Sequence, residues 1–292
     1  MSEDVKSCPL CGSNKYSLFD KRTFMGHLVI NRICDACGFV FLSPRMSEQE
    51  LQDYYRSEYR RSYQGSEEPT PKDLSVQAER ADTLLMRVKH KITRPAYYLD
   101  IGCSSGMLLQ RFRDEYGCQV FGIEPGAAYR SFAQKSGLEV FVSLEELDQS
   151  GQPRFDLISM VHVLEHLPGP LEYLTRLREV YLQSSGWLLI EVPNLYAHDC
   201  FEIAHLSSFS RHTLAEMLRL AGFKIMAFFE HGAPRSRVIP LYMLVLAQPT
   251  SGSPEQESAR PEGAVRLKRR LGLFRRRILE RLFPGLAWLP TG

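Results

Sequence analysis

The chain has little that would carry it into or across a membrane. No run of about 18 apolar residues occurs in its 292 residues, which excludes a helical transmembrane span. The first residues, Met1 to Cys8, lack the basic and apolar regions of a signal peptide, so a cytoplasmic location is expected. No dinucleotide fingerprint G-x-G-x-x-G is present, and no H-E-x-x-H, although His162 and His166 stand four apart. An Asn/Asp-Pro-Pro-Tyr/Phe motif is also missing, which counts against amino-methylation of nucleic acid. No internal repeat is visible.

What the chain does have is cysteine in pairs. Cys8-Pro9-Leu10-Cys11-Gly12 and Cys34-Asp35-Ala36-Cys37-Gly38 are two C-x-x-C-G knuckles with 22 residues between them. Each knuckle can aim two thiolates at one tetrahedral ion, and the spacing predicts a closed, structural zinc site held by four cysteines. Two matched pairs fit a reducing compartment and a metal better than disulfides or thiol exchange. The β-type runs 16–19, 28–33 and 39–42 supply the hairpin of a zinc ribbon over residues 1–45. Cys103, Cys118 and Cys200 have no ligand spacing.

Residues 46–95 read as a helical connector or lid. Ser47 with Glu50 makes a capping box there, and 76–90 carries apolar residues at helical spacing. From 96 to 248 strands and helices alternate. The strands are 97–101, 119–123, 139–142, 155–160, 187–192, 224–229 and 240–247; the helices are 106–116, 127–136, 171–182 and 211–221. Ser210 caps the last helix and Gly222 stops it. Alternation with short connections predicts an α/β, doubly wound parallel sheet, and the short link between the final two strands makes that pair antiparallel.

Residues 249–264, rich in Ser, Gly, Pro and Glu, read as a flexible linker. Residues 265–292 carry eight Lys/Arg against one Glu, so the rest of the chain has a net charge of −5, which does not favour nucleic acid as a partner. Leu267, Leu271, Phe274, Ile278 and Leu282 recur at helical spacing among the arginines. This basic amphipathic helix suits a peripheral contact with an anionic membrane, or docking onto a protein surface.

The most informative stretch is Asp100-Ile101-Gly102-Cys103-Ser104-Ser105-Gly106, where an apolar strand runs into two glycines four apart and a helix opens. That junction lets a ligand approach the backbone closely. Its spacing, D-x-G-x-x-x-G, resembles the S-adenosylmethionine (SAM) loop of class I methyltransferases. The resemblance implies a seven-stranded Rossmann-like methyltransferase sheet and assigns cofactor roles. Backbone N–H groups from Gly102 to Gly106 receive the methionyl carboxylate, and Asp100 accepts from the ammonium. Glu124, at the end of the second strand, binds the ribose hydroxyls. Ser143 and Leu144 lie where the adenine sits, and His162 lines the SAM pocket or the substrate mouth.

The ribbon, the segment 38–44 and the helix ending in Tyr54 and Tyr55 with Tyr59 beyond are similar to bacterial methyltransferases related to the nucleotide-sugar C-methyltransferases. That likeness makes Tyr54, Tyr55 and Tyr59 candidate lid residues. It also makes His205, four residues before Phe209-Ser210, the candidate general base. The family has Glu just before that histidine and Tyr three residues before it; here Ala204 and Glu202 stand there. The expected partners for carbon methylation are therefore missing, and O-methylation of a sugar-like hydroxyl is favoured. Asn194, His198 and Glu202 are further pocket candidates. Two alternatives stand beside this reading: a nucleic-acid methyltransferase, and a non-catalytic SAM- or partner-binding scaffold.

Overall fold

The computed structural model describes residues 2–57, 65–199, 201–250 and 258–290. Strand β1 (Ser2–Glu3) precedes a long antiparallel hairpin of β2 (Tyr16–Phe24) and β3 (His27–Cys34). The hairpin is extended by β4 (Val40–Leu42), and β5 (Arg45–Met46) pairs back onto β1. Both knuckles sit at turns of this unit. It is not a separate bead: Cys8, Cys34, Cys37, Phe39 and Phe41 share one apolar core with strands of the main sheet.

Helix α1 (Glu48–Ser57) starts at the predicted capping box, where the Ser47 N–H donates to Glu50 Oε2 at 2.9 Å. The side chain of Tyr55, and Tyr59 altogether, lie outside the described residues. Helix α2 (Pro71–Val88) is set by Thr70 and Asp73, a second capping box, with Pro71 in its first turn. Its apolar face, Ala81, Leu84, Leu85 and Val88, packs against the main domain.

The main sheet is built from β6 (Tyr97–Ile101), β7 (Gln119–Ile123), β8 (Glu139–Phe141), β9 (Phe155–Val161), β10 (Leu182–Pro193), β12 (Phe223–His231) and β13 (Tyr242–Pro249). Its order is β12-β13-β10-β9-β6-β7-β8. All pairs from β10 to β8 are parallel, whereas β13 runs antiparallel to both neighbours, as its short link predicted. The intervening helices are α3 (Met107–Tyr116), α4 (Ala127–Lys135), α5 (Leu144–Gln149), α6 (Pro170–Arg176) and α7 (Arg211–Leu220). Three details differ from the sequence reading. Strand β10 begins at Leu182; the predicted helix 171–182 ends in a wider turn over 177–181; and Ser143 caps the unpredicted α5 through the Glu146 N–H at 3.4 Å.

A two-residue strand, β11 (Ser207–Ser208), leaves the main domain and joins the ribbon. Ser207 pairs with Phe41 and Ser208 with Val40, and the Leu42 N–H donates to Leu206 O at 2.9 Å. The ribbon sheet thereby holds the segment that contains His205.

The stretch read as a flexible linker is corrected in part. From Ser258 to Ala264 the chain is tied down: the Glu262 N–H donates to Cys37 O, and the Glu262 carboxylate accepts from Tyr196 Oη and Ser210 Oγ. The basic segment is helical as predicted, in α8 (Val265–Leu282) and α9 (Pro284–Ala287), and it docks on the main domain. Arg269 donates to the carbonyls of Leu195 and His198, and Arg276 to that of Ala197.

Phe41 is fully buried and meets Tyr16 edge-on at 5.4 Å. Phe41→Ala should cost about 3–5 kcal/mol in chemical denaturation. Amide exchange in 203–208 should rise with it, because the same strand holds β11.

Candidate active site

Gly102 and Gly106 have φ of +74° and +79°, conformations open to glycine. A Cβ would also crowd a neighbour, lying 2.5 Å from Val163 Cγ2 at Gly102 and 2.2 Å from Leu138 Cδ1 at Gly106, so those methyl groups would have to move. The Gly102 and Cys103 N–H groups both donate to Ile123 O, folding the loop over the end of β7. The N–H groups from Gly102 to Gly106, expected to receive the methionyl carboxylate, are all engaged within the protein, by Ile123 O, Glu124, Gln77 and Cys103 O. Helix α3 starts from Gly106 with no side-chain cap, which leaves its own first N–H groups for an anionic group.

This loop borders a cavity of about 480 Å³. Six of the seven predicted cofactor residues line it: Asp100, Gly102, Glu124, Ser143, Leu144 and His162. Gly106 instead forms the turn behind it. Glu124 is buried, and its carboxylate accepts from the backbone N–H of Ser104 and of Gly126, both at 2.9 Å. The residue therefore ties loop to helix while facing the cavity. Asp100 is also buried, and Ser159 Oγ donates to it. Burial pushes its carboxyl up to about 7 against the effect of that hydrogen bond, with nearby Glu124 adding to the rise.

Sequence reasoning missed the cavity wall made by α2. Gln77 Oε1 accepts from the Ser105 N–H at 3.2 Å. Arg80 donates to Glu191, a fully buried carboxylate inside β10. His162 Nε2 lies 3.0 Å and His231 Nε2 2.8 Å from the same carboxylate, and the Arg80 guanidinium covers the Tyr242 ring at 4.4 Å. Burial opposes ionisation of Glu191, but the charge of Arg80 and the two histidines outweigh it and hold the group well below the usual carboxylate range. The charged residue within the apolar run Leu188-Leu189-Ile190-Glu191-Val192 was the available signal. His162 itself has φ +55°, a strained setting for a side chain of its size.

A second group of acids and imidazoles adjoins it. His162 Nδ1 lies 3.2 Å from Glu165 Oε1, and His166 reaches the cavity wall. His166 Nδ1 donates to Ala204 O at 2.8 Å, which leaves Nε2 with its lone pair. Burial pushes His166 down to about 4. His205 packs against it, ring centres 4.9 Å apart, with its Nε2 2.9 Å from Glu202 Oε1. His205 and Glu202 are thus brought together, one imidazole behind the cavity lining.

The other predicted pocket residues are further removed. The Asn194 amide is engaged by Pro240 O and the Tyr196 N–H, so it shapes a turn. His198 stacks near Tyr242 at 5.9 Å and is pushed down to about 3 by burial. Tyr54 is buried on α1 and does not line the cavity.

The four knuckle thiols gather within 4.8 Å of one another, with Cys8–Cys37 and Cys11–Cys34 Sγ pairs at 3.6 and 3.5 Å. The edge of a zinc tetrathiolate is about 3.8 Å, so the donor set and its dimensions fit a tetrahedral ion.

A seven-stranded sheet with one reversed strand, and a glycine turn over a cavity at its first strand, define a Rossmann-like SAM-dependent methyltransferase fold. The chain belongs to the methyltransferase-domain family, whose pattern matches residues 74–227. It is similar to the ubiquinone biosynthesis O-methyltransferase of Alkalilimnicola ehrlichii, 35% identical over 79 residues, covering 25% of this chain and 32% of that protein. The corresponding protein of Cereibacter sphaeroides is 33% identical over 103 residues, 33% of this chain and 40% of its own length. These matches span only about a third of the curated relatives. Among solved structures, Burkholderia thailandensis 1,6-didemethyltoxoflavin-N1-methyltransferase, with its substrate and S-adenosylhomocysteine bound, superposes with a TM-score of 0.54. Identity there is 22%, over 80% of this chain and all of that one.

Asp100 carries a pH signature. Its carboxyl is raised from 3.8 to about 7 in the folded protein, so the folded state holds the proton more tightly than the unfolded one. The stability this contributes is complete below about pH 4 and is lost as pH rises through about 7. Asp100→Asn should therefore raise the thermal midpoint of the ligand-free protein at about pH 8 and leave it nearly unchanged at about pH 4. Equal shifts at both pH values would contradict this.

Proposed function

We propose that the protein transfers a methyl group from SAM to a hydroxyl of a sugar or related small metabolite, free or carried on a lipid. The observation that carries this reading is the single cavity lined by the glycine loop, Asp100 and Glu124 together with His162 and His166. SAM bound there supplies an electrophilic methyl, whose bond to sulfur breaks as the bond to the acceptor oxygen forms. The N–H groups at the start of α3 hold its carboxylate, Asp100 its ammonium, Glu124 its ribose, and Ser143 with Leu144 border its adenine.

The protein's remaining task is alignment and removal of one proton. His205 is the proposed base. Glu202, 2.9 Å away, stabilises the imidazolium that forms, while neutral His166 lines the path between His205 and the cavity. Tyr55 and Tyr59 are assigned to the lid; Tyr54, Asn194 and His198, which do not line the cavity, take no direct part in holding the acceptor. The names of the curated relatives support oxygen as the accepting atom, and they favour a second reading in which the acceptor belongs to ubiquinone biosynthesis.

In the same reading the chain divides into a zinc ribbon (1–45), a connector and lid (46–95), the SAM domain (96–248), a linking segment (249–264) and the basic helix (265–292). Zinc is structural here: four thiolates close its shell, and the ribbon keeps 202–208 in place through β11.

The deciding experiment is turnover of SAM to S-adenosylhomocysteine against a panel of hydroxyl acceptors. Glu124→Ala should weaken SAM binding about tenfold or more by calorimetry. His205→Ala should lower kcat about 100-fold while leaving SAM affinity intact. Unchanged turnover in that variant would remove the base assignment. Cys34→Ser should release one equivalent of zinc per chain and raise amide exchange across 203–208.

A further inference from the structure

Helix α8 is turned the opposite way from a helix that only docks. It meets the body through Val265, Arg269, Gly272, Arg276 and Leu279, which recur every third or fourth residue on one face. Two of those five are arginines, satisfied by backbone carbonyls and by Asp199. The opposite face carries Leu267, Leu271, Phe274, Ile278 and Leu282, each between 40% and 64% exposed. Beyond the helix end Phe283, Leu286 and Trp288 are also exposed, but Trp288 turns to the docked side, where it lies against Arg276 at 5.0 Å and donates to Glu280. By helical spacing, Arg270, Arg277 and Arg281 border the stripe on one side, and Lys268 and Arg275 on the other. All five are exposed, and the four arginines make no ion pair among the described residues.

A continuous apolar stripe of this length on the outside of a folded chain marks a surface that meets something. The charges select the occupant. A second copy meeting it stripe to stripe would bring two arginine borders together, a like-charge contact that works against association. An anionic bilayer accommodates both features: leucine and phenylalanine side chains enter the acyl boundary while guanidinium groups remain at the level of the phosphates.

We propose that the outward side of α8 is the face by which this protein lies on an anionic phospholipid surface. The stripe from Leu267 to Leu282 is embedded, with Arg270, Arg275, Arg277 and Arg281 against lipid phosphates. The body stays attached through the buried face of the same helix. This assignment is independent of the methyl acceptor and of the base.

The full-length protein should sediment with vesicles of mixed phosphatidylglycerol and phosphatidylcholine. It should bind vesicles of phosphatidylcholine alone at least about tenfold more weakly. F274E/I278E should lose about tenfold or more of the partitioning, with its thermal midpoint and SAM affinity unchanged. R270E/R277E/R281E should abolish the preference for the anionic lipid. The proposal is overturned if parent and F274E/I278E partition equally, or if the parent binds neither vesicle. A dimer in solution that F274E/I278E dissolves would assign the stripe to a second copy instead.

Discussion

A two-strand seam, β4 against β11, is the contact on which the arrangement of this molecule depends. Few residues are involved, yet they connect elements far apart in the chain. On one side, β4 belongs to a hairpin unit gathered at its base by four thiols. On the other, β11 follows the long connection out of β10 that bears Glu202 and His205. An edge strand left bare would expose its hydrogen-bonding groups; here that edge organises a loop that has little secondary structure of its own. The packing beneath the seam reinforces it, since Phe39 meets Phe209 at 5.4 Å and both are buried. Ribbon and methyltransferase sheet are therefore one mechanical body, and the cysteine cluster is joined through that seam to the segment that bears His205.

Two buried carboxylates, Asp100 on the cavity wall and Glu191 behind Arg80, have opposite fates, and their neighbours explain the difference. Asp100 has a hydroxyl partner and a nearby carboxylate, and burial dominates. Glu191 is as deeply buried, but a guanidinium and two imidazoles surround it, and it stays ionised. The second site has its cation in place, the Arg80 guanidinium. The neighbours of each group thus decide the charge of two otherwise similar buried carboxylates.

The central sheet was legible because parallel strands covered on both faces appear as apolar runs, and the glycine loop because its spacing is tied to a backbone shape. The knuckles were legible for the same reason: ligand spacing is a local property. What could not be read was made by distance. Arg80 and Glu191 are 111 positions apart, and no pattern in α2 singles out that arginine. Strand β11 has two residues, too few for any periodicity, and it exists only because β4 offers an edge. The stretch 258–264 has the composition of a linker, yet Glu262 finds Cys37, Tyr196 and Ser210 in space. Composition describes what a segment is made of, and its partners determine whether it is ordered. His205 was found through a resemblance, while His166, which stands between it and the cavity, lay unremarked as a ligand-facing group in a motif already noticed.

Gly272 gives the last long helix its angular setting. A Cβ at this position would fall 2.0 Å from the Tyr196 carbonyl oxygen, so the helix backbone comes closest to the body there and can do so at one rotation only. Rolling the cylinder to bury its leucines would swing a side chain into that carbonyl and withdraw Arg269 from its acceptors. The glycine acts as a detent: it stops the helix from satisfying its own apolar residues, and so keeps them turned outward.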